Sequence, residues 1–307
     1  MFALFALMLL GVSIPLVSAQ NNGIHNSYSA GIVSLSTDDI EIRVTGNNQA
    51  PHFQWWDPNN PTVDYHVMFV KLFEANDTNN NGAFDNGTDT VVGPVFPLPT
   101  SDWEFSGFVA DTDGENVTGV HFNFTTTAMH DPRPQGSGGY SELPPIAEFD
   151  LMIQIRVHMD LANPGEFKFD LIVDGWQWTY EDSIFVAQFT ITESNHGQNQ
   201  GVRDPAGFQE MTQYNFTFGA AYMECADEAL AAQNTLEVKA SHGEGTGLEA
   251  GESVYLAFSY FGNETLEYDP ILGIETTAAG LDTTMLLFAG LGVAIVVIAI
   301  IALRVRK

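Results

Sequence analysis

The sequence predicts an all-β protein: an antiparallel β-sandwich followed by one C-terminal transmembrane helix. Three observations carry that reading. Apolar residues alternate with period two through most of residues 20–273, and helical spacing is nearly absent. Clusters of Gly, Asn, Asp and Pro separate the alternating runs, as turns require. Residues 285–303 carry no charge and are followed by Arg304, Val305, Arg306 and Lys307. A helix of that length covers roughly 28 Å, close to the hydrocarbon thickness of a bilayer.

From the N-terminus, residues 1–19 are apolar and end in Val17, Ser18 and Ala19, a small-residue pattern suited to signal-peptide cleavage before Gln20. No Lys or Arg precedes the apolar run, so an uncleaved anchor is the competing reading. Strand patterns then follow at Ile40, Ile42, Val44; at Val63, Tyr65, Val67, Phe69; and at Val120, Phe122, Phe124. The clearest is Phe149, Leu151, Ile153, Ile155, Val157, Met159, with Asp150, Gln154, Arg156 and His158 on its other face. Residues 167–178 and 183–192 read as a hairpin turning at 179–182, with Gly175 as a bulge that keeps Trp176 and Trp178 in the apolar phase. Tyr214, Phe216, Phe218, then Leu236, Val238, and finally Val254, Leu256, Phe258, Tyr260 continue the series. Only residues 224–233 read as a short helical turn.

Roughly a dozen strands with one apolar face each imply sheets packed face to face. The Pro- and Gly-rich run 131–145 is the best internal boundary, so one large sandwich and two smaller ones both fit. Residues 274–284 read as a short stalk, 285–303 as the membrane span and 304–307 as a cytoplasmic tail, because basic residues beside a span stay on the cytoplasmic side.

All 39 acidic residues lie between positions 20 and 283, against seven basic ones, a formal charge of −32 for that region. Such a field repels nucleic acid and anionic lipid, and it attracts cations. It also suits a surface kept solvated in concentrated salt. The lone Cys225 can form no intramolecular disulfide and is expected as a small buried hydrophobe.

The strongest local motif is DTNNNGAFDNGTD at 77–89. Oxygen-bearing side chains at Asp77, Asn79 and Asn81, a Gly at 82, a backbone carbonyl at Ala83 and carboxylates at Asp85 and Asp89 follow the alternation of a calcium loop. A tight turn folds positions 1, 3 and 5 around one point, and Gly82 permits the reversal. Thr88 stands where a bidentate Glu is usual, with Asp89 one residue later and Glu74 as an additional candidate ligand. A polar Asn-rich turn without an ion is the alternative. A second acidic turn, 111–115 (DTDGE), lacks later ligands and reads as a plain β-turn.

Six N-x-T sequons occur, at Asn76, Asn86, Asn116, Asn123, Asn215 and Asn263. Alternation points Asn123 and Asn215 away from the core. Aromatic clusters include Trp55 and Trp56, and Trp176 and Trp178, which on an exposed sheet face would stack on sugars; core packing is the other reading. No GxSxG elbow, HExxH, P-loop or CxxC occurs, and His121 and His158 fall on polar strand faces where solvated rings are the default.

Loop 77–89 resembles the DxNxNGxFDxGxD calcium loops that join strands in bacterial and archaeal surface proteins. With the signal sequence, FKFDLIVDGWQW (167–178) and VYLAFSYFGNETLEYDPILGI (254–274) ahead of the terminal span, the chain resembles cell-envelope proteins of salt-adapted archaea. The resemblance implies an envelope role and no particular activity. The expectation is a single-span, glycosylated, calcium-binding protein of the cell membrane with its bulk outside. Its role would be structural, adhesive or binding a protein or glycan partner at the surface, and it would not be an enzyme. A sugar- or solute-binding receptor is the alternative, and an extracellular hydrolase a third.

Overall fold

The structure, a computed structural model, describes residues 23–45, 50–128, 151–196, 203–244 and 251–275. Segments 1–19, 131–145 and 285–303, and most of 274–284, lie outside the described residues. Among the described residues no helix is long and apolar enough to cross a membrane.

Twenty strands and one 3-10 turn (Leu98–Thr100) make up the regular structure of the described residues, and every ladder between the strands is antiparallel. The first part holds β1 (His25–Ser29), β2 (Ile32–Ser36), β3 (Glu41–Thr45), β4 (His52–Trp56), β5 (Val63–Asn76) and β6 (Thr90–Pro97). Next come β7 (Asp102–Phe105), β8 (Val109–Asp113), β9 (Asn116–Ala128), β10 (Met152–Asp160), β11 (Glu166–Asp174) and β12 (Ile184–Asn195). The last part holds β13 (Gln209–Thr212), β14 (Asn215–Phe218), β15 (Ala221–Glu224), β16 (Glu228–Ala231), β17 (Asn234–Glu244), β18 (Glu252–Phe258), β19 (Leu266–Tyr268) and β20 (Ile271–Ile274).

One layer runs β1-β2-β3-β4-β5-β12-β18-β17, with β6 beside the far half of β5 on the same edge as β4. The other is centred on β9-β10-β11: β7 and β8 flank β9, while β19 and β20 share the free edge of β11. From there β20 leads to β15, β14 and β13, and β19 leads to β16. Strand β17 belongs to both layers: 234–237 pair with β16 and 238–244 with β18.

Alternation explains why the layers meet. Phe53 of β4 lies 5.8 Å from both Phe167 and Phe169 of β11, and Phe69 of β5 lies 5.2 Å from Phe169. These rings come from both sides of segment 131–145, yet they belong to one apolar cluster. An extra residue in β5, where Phe69 pairs Phe189 and Lys71 pairs Gln188, shifts the inward phase from Phe69 to Leu72. Beyond that bulge both faces of β5 are covered.

Two local expectations are corrected. Residues 167–178 and 183–192 are not a hairpin. Strand β11 pairs with β10, β19 and β20 in one layer, whereas β12 pairs with β5 and β18 in the other. The connection crosses the end of the two layers, turning at Gly175 (φ 79). The helical reading of 224–233 is also wrong at its centre. Residues 228–231 form β16, in which Ala229 and Ala231 are buried while Leu230 is half exposed. Pairing to β17 and β19 overrides the helix preference of Glu, Ala and Leu.

Candidate functional site

Loop 77–89 joins β5 to β6, its base closed by the pairing of Asn76 with Thr90. Inside it the five polar residues singled out by spacing are drawn together. Asp77 accepts the Asn81 amide through Oδ1 (3.2 Å) and the Gly82 amide through Oδ2 (2.7 Å). The Asn79 and Asn81 side-chain amides both donate to Oδ2 of Asp85, at 2.6 and 2.8 Å. Asp89 closes the ring, taking the Thr78 amide on one oxygen (2.8 Å) and the Asp85 amide on the other (2.7 Å). Asn80 (φ 56) and Gly82 (φ 79) supply the left-handed backbone that the reversal needs. Ala83 is buried under the turn, its amide held by Asn81 Oδ1 at 2.8 Å.

This arrangement fits a hard divalent cation. Asp77, Asp85 and Asp89 each accept amide hydrogen bonds within the one loop, and no basic residue lies between 77 and 89 in the sequence. The donors of Asp77, Asn79, Asn81, Asp85 and Asp89 are oxygens, the ligand class calcium takes. Presenting Oδ1 in place of Nδ2 would take a rotation of the Asn amide that gives up the backbone amide its Oδ1 now accepts, Asn81 for Asn79 and Ala83 for Asn81. Asp89, one residue past the position where a bidentate Glu is usual, ties both halves of the loop through the Thr78 and Asp85 amides. Glu74 does not belong to the set. Its buried carboxylate accepts the amides of Thr179 and Tyr180, both at 2.8 Å, and the Ser183 hydroxyl at 2.5 Å.

The loop is also pinned from below. Phe84 is buried against Phe73 and Tyr255 (both 5.0 Å) in a second, smaller apolar cluster with Ala75, Ile184, Val186 and Ala257. Ser241 of β17 donates to the Phe84 carbonyl at 2.6 Å. The loop therefore lids the outer face of the first layer, over β5, β12 and β18.

The tryptophans do not form a stacking platform. Trp55, Trp56 and Trp176 are 0–2% exposed: Trp55 and Trp176 belong to the core, while Trp56, on the opposite face of β4, is covered by His196 and Arg43. Trp178 is half-buried, packed on Tyr260 and Phe261 with its Nε1 donating to the Gly262 carbonyl at 2.9 Å. Of the sequons, Asn76, Asn86, Asn116 and Asn263 are exposed. Asn123 and Asn215 do point away from the apolar side chains, but each is only half exposed and its Oδ1 is enclosed. Cys225 is buried, which pushes its thiol up to about 12 and keeps it protonated.

Two polar clusters escaped the sequence because their members meet only across strands. On the outer face of the first layer, buried Asp64 receives Gln54 and the Ser194 hydroxyl, and its Oδ1 lies 3.3 Å from His66 Nε2. His66 Nδ1 faces His52 Nε2 at 3.0 Å, and His196 lies 3.5 Å from Asp64. The trio Ser194, His66 and Asp64 is not a nucleophile relay. Ser194 and Asp64 meet the same ring nitrogen and each other, leaving no proton path from serine through histidine to acid.

This network makes stability pH-dependent. Burial, reinforced by the His66 ring, lowers the pKa of His52 to about 4, and burial lowers that of His66. The folded state therefore binds fewer protons than the unfolded chain between about pH 6.5 and 4, so these rings destabilise the fold as pH falls through that window. The His52 contribution has a ceiling of about 3 kcal/mol, at 1.36 kcal/mol per unit. Denaturant midpoints at pH 7 and 4.5 should therefore converge for His52→Gln relative to wild type. An identical pH dependence in both proteins would contradict this.

The second cluster joins Asp111, in the turn read as a plain acidic one, to His121 and His158, read as solvated rings. Histidines on polar faces of strands that turn out to be neighbours were the only signal, and one chain does not tell which strands pair. No protein-family model matches the chain, and no curated protein matches it.

Proposed function

We propose that this chain is a single-span protein of the cell membrane whose acidic β-sandwich ectodomain has a structural, adhesive or partner-binding role at the cell surface, with loop 77–89 stiffened by calcium. The observation that carries the reading is the convergence of Asp77, Asn79, Asn81, Asp85 and Asp89 in a loop whose Phe84 covers an apolar patch of the outer sheet face. Bound calcium would supply positive charge to offset the three carboxylates of this loop in a region of formal charge −32. The chain's own residues do the rest. Asp89 ties the loop ends, Gly82 turns the backbone, and Phe84 with Ser241 holds the turn against β17 and β18.

Burial of Trp55, Trp56 and Trp176 weighs against a sugar-stacking receptor and in favour of surface architecture. Glycans on Asn76, Asn86, Asn116 and Asn263 would project from turns and strand ends. Charge-free residues 285–303 followed by a basic stub support the anchor. Protease added to intact cells tests the reading: it should degrade region 20–273 and spare 304–307, with chelator opening cleavage inside 77–89 first. Digestion of the basic stub while region 20–273 survives would overturn the topology. Equal cleavage of 77–89 with and without chelator would overturn the calcium role.

A further inference from the structure

The outer face of the second layer carries a different constellation from the oxygen-rich loop. His121 of β9 and His158 of β10 are direct cross-strand partners, with ring centroids 5.7 Å apart. Val109 of β8 pairs with His121, so Asp111 stands two residues further along the same face. Its Oδ1 lies 2.7 Å from His121 Nδ1. One ligand atom from each of the three side chains falls within 4.8 Å of the other two.

Features around this trio match the needs of a metal centre. Gly119 pairs opposite Asp111, and a Cβ there would stand 3.2 Å from Asp111 Oδ2 and 2.8 Å from the Met159 carbonyl. A missing side chain thus makes room for the carboxylate. Asp170 of β11 lies 3.0 Å from His158 Nε2 and is itself held by Arg156 at 3.5 Å. A carboxylate on one imidazole nitrogen fixes the tautomer and orients the ring, leaving the other nitrogen's lone pair for an ion. The nearby cations are already engaged, Arg156 with Asp170 and Lys168 with Asp269 at 3.5 Å. Asp111 and His158 border a cavity of about 480 Å³, leaving space for water or an exogenous ligand on the ion.

We propose that Asp111, His121 and His158 form a binding site for a divalent transition-metal ion of the zinc class, with Asp170 as the positioning residue for His158. Two imidazoles with one carboxylate are borderline ligands that suit zinc, and not the all-oxygen shell calcium or magnesium takes. The ligands sit on three adjacent strands, so the site is held by the sheet and needs no loop to order. With three protein ligands and the cavity beside Asp111 and His158, an ion here would keep room for a further ligand, unlike a closed structural site.

The test is calorimetric titration of the full chain with zinc, in saturating calcium so that loop 77–89 and diffuse carboxylate binding are already satisfied. The expected result is one site per chain. Replacing Asp170 with Asn should weaken it roughly 10–100-fold. The double variant His121→Gln/His158→Gln should abolish it, and His242→Gln, on the other layer, should leave it unchanged. Metal-free melting curves show whether each variant folds; if the double variant does not, Asp111→Asn serves instead, with at least a tenfold loss expected. Equal zinc affinity in wild type and ligand variants would mean adventitious carboxylate binding only and would overturn the site, as would loss through His242→Gln alone.

Discussion

Phe169→Ala should lower the unfolding free energy by about 3–5 kcal/mol, the usual cost of deleting a fully buried phenyl ring. Phe169 is 0% exposed and touches Phe53 and Phe69 from β4 and β5 and Phe189 from β12. All three belong to the opposite layer, so no single neighbour can shift to fill the space. The rings it contacts come from both sides of 131–145, and the loss should therefore appear in one cooperative transition of the whole folded region. Denaturant unfolding followed by tryptophan fluorescence and by far-UV circular dichroism checks this. Two separated transitions, with only the later one moved, would instead mean that the chain on either side of 131–145 folds independently.

Glu74→Ala is the second large effect, about 3 kcal/mol, from loss of charge-assisted hydrogen bonds to a buried acceptor. Glu74 gathers the Thr179 and Tyr180 amides and the Ser183 hydroxyl at the point where the chain crosses from one layer to the other. Removing it frees the crossover that seats Trp176 against Phe96 and Phe185. Glu74→Gln keeps the shape but turns one acceptor into a donor facing an N–H, so it should recover only part of the loss. Melting temperatures of the two variants, compared in calcium and in chelator, also separate the roles assigned to Glu74 and the loop. If Glu74 is a crossover anchor, its replacement leaves the calcium response intact.

Much of the fold was legible because long strands advertise themselves. Residues 152–160 alternate without interruption and 166–171 do the same before Ile172 breaks the phase, and burial follows both patterns. What could not be read was partner choice. Turn residues at 179–182 look the same whether the next strand doubles back or crosses to another sheet, and here β12 crosses. Strand β16 was hidden because Glu, Ala and Leu favour helix until neighbouring edges claim their backbone. Loop 77–89 was legible as a site because its spacing is contiguous in sequence. Asp64 and Ser194, 130 positions apart, and Asp111, His121 and His158 on three strands became visible only once the pairing was known.

The central claim is that a cation orders loop 77–89 against the outer sheet face. Thermal melts of the full chain and of Asp77→Ala, each with chelator and with millimolar calcium, address it most directly. Wild type should melt several degrees higher in calcium, at about 2.7 kcal/mol for ligand at a hundred times its dissociation constant. Asp77→Ala should show no such rise. Superimposable wild-type curves in calcium and chelator, or an undiminished calcium shift in Asp77→Ala, would contradict it.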